Sequence, residues 1–314
     1  MSAGVLLMAY GSPHSPDDLE AYYTDIRRGR PPTPDALEEL AERYRRIGGA
    51  SPLNNITVRQ AKAVEAAMAG AGQAVTVFVG MKHWHPSIDE AVGEIVAADV
   101  ETLVGIVLAP HYARMSIGGY RDRILAARAA RGGRFELRMV PSWYDEPEFV
   151  QFVAERLSAS LDGWDRDAGT KVFFTAHSLP ERILAEGDPY RDQLIDSSRL
   201  VADAAGGVAW ELAFQSASAT GEPWRGPDIL ERLEAFAAAG GRRALVAPVG
   251  FTADHLEVLY DVDVECGELA GHLGLELRRL PSPNDDPAFA RTLAGIAVRE
   301  LEDHDVAKSA ATRY

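Results

Sequence analysis

One cysteine, Cys266, stands in 314 residues. A single thiol excludes an intramolecular disulfide framework and any iron–sulfur cluster, [2Fe–2S] included, held by several cysteines of this chain, and it makes the cytoplasm the default compartment. Long apolar runs are missing too: none approaches the roughly 20 residues that would span a bilayer. The opening Met1-Ser2-Ala3-Gly4 has no basic segment, and Gly11-Ser12-Pro13 cuts the next apolar run short, so a first strand is expected there rather than a signal peptide. Positive charge is scarce. A formal net charge of −15 argues against nucleic-acid binding, because counterion release needs a basic face. The deficit is uneven, for Arg27, Arg28, Arg30, Arg43, Arg45 and Arg46 fall close together. They could meet a carboxylate or phosphate, or simply lie on solvated helix faces.

What is present is an ordinary globular composition, 46% hydrophobic and 25% charged, enough for one large or two medium domains. Eight short apolar, β-branched-rich runs recur: Gly4–Tyr10, Ala74–Gly80, Leu103–Ala109, Phe135–Val140, Lys171–Ala176, Val208–Phe214, Arg243–Val249 and Leu275–Leu280. Nearly every gap between them can hold a helix, and that alternation predicts a parallel α/β protein.

The runs divide into two sets of four. Leu6-Leu7-Met8-Ala9-Tyr10-Gly11-Ser12-Pro13 opens the first and Phe173-Phe174-Thr175-Ala176-His177-Ser178-Leu179-Pro180 the second. The third run of each set ends in Ala-Pro, at Ala109-Pro110 and Ala247-Pro248. The pattern reads as a weak internal duplication or as common α/β turn chemistry. If it is a duplication, a domain over residues 1–143 faces a second over 144–314, and the cleft is lined by Tyr10, His111, His177 and the segment after Pro248. The first domain carries a helical insertion, 17–53, ending in Gly48-Gly49-Ala50-Ser51, where Ser51 can cap the next helix and present N–H groups to an anion. The last helix, about 286–303, is expected to pack back on the first domain.

A histidine at the end of a buried strand is as readily a satisfied core residue as a functional one. The downstream segment from Asp254 to Glu268 favours the second reading for His177. Glu257, Asp261 and Glu265 are spaced i, i+4, i+8, one carboxylate stripe on a helix, with Asp254 beside it. A solvated face usually interleaves Lys or Arg; this segment has six acids and neither. Carboxylates with water favour hard hydrated cations, and an imidazole such as His177 shifts the preference toward Fe2+, Co2+ or Zn2+. One His and one Glu suit passing a metal on better than keeping it.

Several motifs then occur in register along nearly the whole chain. They are Met8-Ala9-Tyr10-Gly11-Ser12-Pro13, Tyr22-Tyr23-Thr24-Asp25-Ile26-Arg27-Arg28-Gly29-Arg30, Ile47-Gly48-Gly49-Ala50-Ser51-Pro52-Leu53, Leu108-Ala109-Pro110-His111, Ser142-Trp143-Tyr144, Thr175-Ala176-His177-Ser178-Leu179-Pro180 and Gly250-Phe251-Thr252-Ala253-Asp254-His255-Leu256-Glu257. In these the sequence resembles the ferrochelatases. The resemblance implies two four-stranded Rossmann-like domains with a tetrapyrrole between them, and insertion of Fe2+ with loss of two pyrrole protons. It implies that His177 and Glu257 face the porphyrin centre from one side, dividing proton removal and metal delivery between them, and that Tyr10 faces it from the other. Asp261 and Glu265 match an outer metal stripe.

The Arg-Arg-Gly-Arg insertion and Arg43 before Ile-Gly-Gly resemble the Gram-positive type, which implies coproporphyrin III as substrate. Its four propionates suit Arg43 and Ser51 first, then Arg27, Arg28, Arg30 and Tyr120. Trp143 and Trp224 offer aromatic area for the ring, or are core. No permanently bound cofactor is implied, and iron is a substrate. Coproporphyrin III is then the partner molecule, with transient contact to other haem-pathway enzymes expected. Rival readings are a protoporphyrin IX or sirohydrochlorin chelatase and, from a different class, a haem or tetrapyrrole carrier.

Overall fold

A computed structural model of the chain describes residues 2–182, 187–217 and 223–311, and for 303–311 the backbone alone. Each of the eight apolar runs holds one strand: β1 Ala3–Ala9, β2 Thr76–Met81, β3 Thr102–Val107, β4 Glu136–Met139, β5 Thr170–His177, β6 Trp210–Gln215, β7 Arg243–Ala247 and β8 Glu276–Arg279. They form two four-stranded sheets of the same topology, β2-β1-β3-β4 and β6-β5-β7-β8. All pairings are parallel. Helices cover both faces, so the central strands are apolar throughout rather than alternating; Val5 to Met8 are wholly buried.

Between the strands run α1 Leu19–Ile26, α2 Pro34–Arg46, α3 Leu53–Gly70, α4 Ile88–Ala97, α5 Gly119–Ala130, α6 Pro147–Ser160, α7 Tyr190–Ala204 and α8 Ile229–Ala238. The acid-rich segment forms α9, with an α-turn at Leu256–Val258, a π-helix over Leu259–Cys266 and an α-helical end at Gly267–Leu273. The chain closes with α10, Pro287–Ala311.

One core runs through both halves. Val104 and Ile106 of β3 meet Phe149 and Phe152 of α6, Phe289 and Leu293 of α10, and Phe174 of β5 within a single apolar cluster. Trp143 belongs to it, 1% exposed, its indole N–H donating to the Val107 carbonyl at 3.1 Å, which corrects the suggestion that it offers a face to a bound ring. Helix α10 packs on α3 and α6. Polar ties join the halves as well. Gln60 of α3 donates to the carbonyls of Thr252 (3.2 Å) and Asn284 (2.9 Å), the Thr252 hydroxyl donates to the Leu108 carbonyl at 2.9 Å, and Arg59 grips Asp285 at 2.8 and 3.2 Å. These bonds hold the loop after β7 against the end of β3, so the catalytic candidates of one half are registered on the strands of the other. Among the described residues no helix is long and apolar enough to cross a membrane.

Candidate active site

Open parallel sheets place ligands beyond the carboxyl ends of their strands. Here both sheets turn those ends toward one cavity of about 860 Å3. Tyr10 follows the last residue of β1 and His177 is the last residue of β5, so the two strand-end rings sit on opposite walls.

The second-half wall is built on Glu257. Its carboxylate lies between two imidazoles, with Oε1 3.6 Å from His177 Nε2 and Oε2 3.6 Å from His255 Nε2. A carbonyl can only accept, so the contacts of His177 Nδ1 with the Ser178 carbonyl and of His255 Nδ1 with the Ala253 carbonyl put a hydrogen on each Nδ1. That leaves Nε2 of His177, the nitrogen facing Glu257, to take up or release a proton. Tyr190 donates to the His177 carbonyl at 3.1 Å and fixes the strand end. Burial alone would raise the Glu257 carboxyl, but His177, His255 and then Arg43 outweigh it and hold it down at about 2. The His255 imidazole responds the other way: burial opposes its charge, and Glu257 more than restores it, so its pKa is raised.

Behind Glu257 the π-helix carries the other acids. A π turn takes one more residue than an α turn, so the i, i+4, i+8 spacing does not make one surface row. Asp261 is instead buried, accepting from Ser216 and, at 3.4 Å, from Gln215. Burial, reinforced by Glu257 and Glu265, pushes its carboxyl up to about 7. Nor is the run uncompensated. Asp254 departs from the stripe and is held by Arg279 (3.0 Å), Ser282 (2.7 Å) and Asn284 (3.0 Å); Arg279 also pairs with Asp263, and Arg46 with Glu268. Arg43 stacks on Tyr260 at 5.2 Å and lowers the Glu257, Asp261 and Glu265 carboxyls. The counter-charges missing from the local sequence come from α2 and β8. No three His, Cys, Asp or Glu side chains among the described residues converge closely enough to hold an ion together.

The first-half wall is aromatic and cationic. The Tyr10 ring lies 4.5 Å from that of His83, and its enclosure, then the charge of Glu257 across the cavity, raise the phenol above its ordinary value. His83 Nδ1 is 2.7 Å from Asp25, and burial brings its imidazole down to about 4, so the ring is neutral near pH 7.

Of the residues singled out from sequence, Tyr10, Arg28, Ser51, Tyr120, His111, His177, Trp224 and Glu257 all line the cavity. Ser51 follows two left-handed glycines, Gly48 and Gly49, and accepts from Leu53 N at 3.3 Å; it does not cap α3 as expected, because Pro52 holds the N-cap position and makes no side-chain capping bond. Arg43, Arg27 and Arg30 are not in the wall. Arg27 stacks on Tyr23 at 5.6 Å, Arg30 is exposed, and Asp261 and Glu265 lie behind the wall. Sequence reasoning passed over Lys82, His83, Arg123, Asp25 and His255. The signal for two of them was available, since Lys82-His83 follows β2 directly, at a strand end like those of Tyr10 and His177.

The ferrochelatase family model matches residues 2–301. A ferrochelatase of Herpetosiphon aurantiacus is 43% identical over 295 residues, covering 93% of this chain and 97% of the relative. Coproporphyrin III ferrochelatases of Geobacillus thermodenitrificans (42% over 305 residues, 96% of each chain) and Bacillus subtilis (40% over 303 residues, 95% and 97%) are similarly near. Among solved structures, SirB from Bacillus subtilis with Fe3+ shares the fold at a TM-score of 0.60 and 13% identity, covering 97% of this chain and 98% of that one. With a catalytic-type wall, a facing aromatic wall and relatives aligned from end to end, the chain belongs to the ferrochelatase family.

Proposed function

We propose that the protein inserts Fe2+ into coproporphyrin III, releasing two protons and giving coprohaem. The observation that carries this is the His177–Glu257 pair facing Tyr10 across a cavity of about 860 Å3, within the size range of small-molecule sites. Each metal–nitrogen exchange needs a proton acceptor, and His177, in the cavity wall with Nε2 beside Glu257, is the side chain offered for it. Glu257, held ionised between two imidazoles, stabilises the imidazolium formed and passes its proton toward the acid-rich side. Tyr10, whose phenol stays neutral, stands on the opposite face as a weak oxygen donor to the arriving iron. Glu265 and Asp261, lying behind Glu257, line the route by which hydrated Fe2+ approaches as substrate.

The choice of coproporphyrin rests on relatives named for that substrate and on the Arg28, Ser51 and Tyr120 donors in the wall, suited to a tetracarboxylate. The protein would work in the cytoplasm without a resident cofactor and hand coprohaem over by transient contact with the next enzyme of haem synthesis.

The test is metal insertion with Fe2+ and Co2+ into coproporphyrin III, protoporphyrin IX and sirohydrochlorin. Preference for coproporphyrin with Fe2+ is expected, and preference for either other macrocycle would sink the reading. Insertion should be lost in His177→Ala while coproporphyrin still binds; turnover retained in that variant would point to a carrier.

A further inference from the structure

The chain leaving β3, from Leu108 to Arg114, belongs to the first half, yet its polar groups go to the second. The Leu108 carbonyl accepts from Thr252, in the loop that leads to Glu257. His111 Nε2 lies 2.9 Å from the Ser197 hydroxyl, Tyr112 N donates to Gln193 Oε1 at 2.6 Å, and Arg114 N donates to Asp188 Oδ2 at 2.7 Å. Gln193 and Ser197 stand one turn apart on α7, and Asp188 lies just before it, its other oxygen accepting from Tyr190 N at 3.0 Å. These bonds fasten one stretch of chain along one face of one helix.

That helix in turn fixes His177. Tyr190, the first residue of α7, donates to the His177 carbonyl. The His111 ring is wedged against it, stacking on Tyr144 of the first half at 5.8 Å and meeting Tyr190 edge-on at 6.3 Å. His111 and Ser197 are both buried. Burial brings the imidazole down to about 3, so the ring is neutral, and a hydroxyl can donate or accept whichever nitrogen carries the hydrogen. Nδ1 has no partner among the described residues, which leaves Ser197 as the polar group that orients the ring. His177 and Glu257, 3.6 Å apart, are thus both braced from the end of β3, Glu257 by way of Leu108 and Thr252, His177 by way of His111 and Tyr190.

We infer that His111 is a positioning residue for iron insertion: acting through Tyr190, it fixes where His177 stands relative to Glu257. This rests on the functional reading above, because the pair so positioned is the one assigned there to the proton steps. Small shifts matter at such a pair, since misplacing a reacting group by about 1 Å can cost on the order of 10^2 in rate. His111 also borders the cavity, so direct contact with the substrate is the rival role, and coproporphyrin affinity separates the two.

Iron insertion into coproporphyrin III would be compared in the wild type, His111→Leu, His111→Gln, Ser197→Ala, Tyr190→Phe and the variant combining His111→Leu with Tyr190→Phe. Coproporphyrin Kd is read by fluorescence, and kcat is referred to the porphyrin-binding sites counted in the same titration. His111→Leu and Tyr190→Phe should each lower kcat about tenfold or more, with Kd changed less than about twofold. The double variant should fall no further than the worse single one, since both substitutions break one chain of contacts. His111→Gln, whose amide can still meet the Ser197 hydroxyl, should regain most of the rate, and Ser197→Ala should lose about threefold. An unchanged kcat in His111→Leu, losses that multiply in the double variant, or a Kd that weakens in step with kcat would each overturn the role. Should His111→Leu not fold, Ser197→Ala and Tyr190→Phe, each lacking one hydroxyl, carry the test, and an unchanged kcat in both overturns it. The wild type separates the two levels: an inactive wild type overturns the functional reading, whereas an active wild type with indifferent variants overturns the positioning role alone.

Discussion

The two sheets repeat one strand order, and their carboxyl ends face each other across one cavity, yet the residues at those ends differ in kind. After β1 and β2 come Tyr10, Lys82 and His83, backed by Tyr120 and Arg123, a wall of rings and fixed cations. At the end of β5 stands His177 and after β7 come His255 and Glu257, backed by a π-helix of carboxylates. The same scaffold thus supports two chemistries. One wall suits the rim of an anionic ring, and the other suits protons and a divalent cation. The repeated strand order provides the scaffold, and the strand-end residues set the character of each wall.

That division can be broken first on the acidic side. Glu257→Gln removes the fixed carboxylate between the imidazoles and should lower iron insertion by roughly 10^2–10^4-fold, as for other proton-transfer groups. Coproporphyrin affinity, read by fluorescence, should barely move, and a comparable loss of affinity would mean that the walls share the binding task.

Asp261 sharpens the same contrast through stability. A carboxyl raised to about 7 in the folded protein, from an ordinary value about 3 units lower, favours folding when protonated. Its contribution is therefore complete at low pH and is lost as pH rises through about 7. Asp261→Asn should leave the Tm nearly unchanged near pH 4 and raise it by several degrees at pH 8. A lower Tm at pH 8 would show that the buried charge is stabilised by partners other than Ser216 and Gln215.

The bond between halves is a smaller effect. Thr252→Val deletes the hydrogen bond to the Leu108 carbonyl and should cost about 1 kcal/mol in denaturant unfolding. An intact protein showing no cost would mean that Gln60 suffices to hold the loop. Smallest of all should be Arg27→Ala and Arg30→Ala, which lie outside the wall and should change coproporphyrin Kd by less than about twofold. A tenfold change in either would bring the insertion helices into substrate binding after all.

Much of this molecule was legible before its structure was. The eight runs marked eight strands because buried parallel strands are continuously apolar and their bounding turns are local. Tyr10 and His177 were identifiable for the same reason, each being the polar ring at the end of such a run. Arg43 shows the limit. Its place before Gly48-Gly49 suggested a propionate partner, but α2 carries it against Tyr260 and the acids of α9, outside the cavity wall.

What the sequence determined by itself, then, was the order of strands and helices, their division into two sets of four and the strand-end rings, all of which rest on periodicity and turn chemistry within a few residues. Tertiary structure decided which charges meet. Arg46 reaches Glu268 across 222 positions, Arg279 neutralises Asp254 from β8, Arg123 joins Lys82 from α5, and Trp143 sinks into a core shared by both halves. Coulombic pairing and burial act through space, and elements distant in the chain set both; no window of sequence contains them.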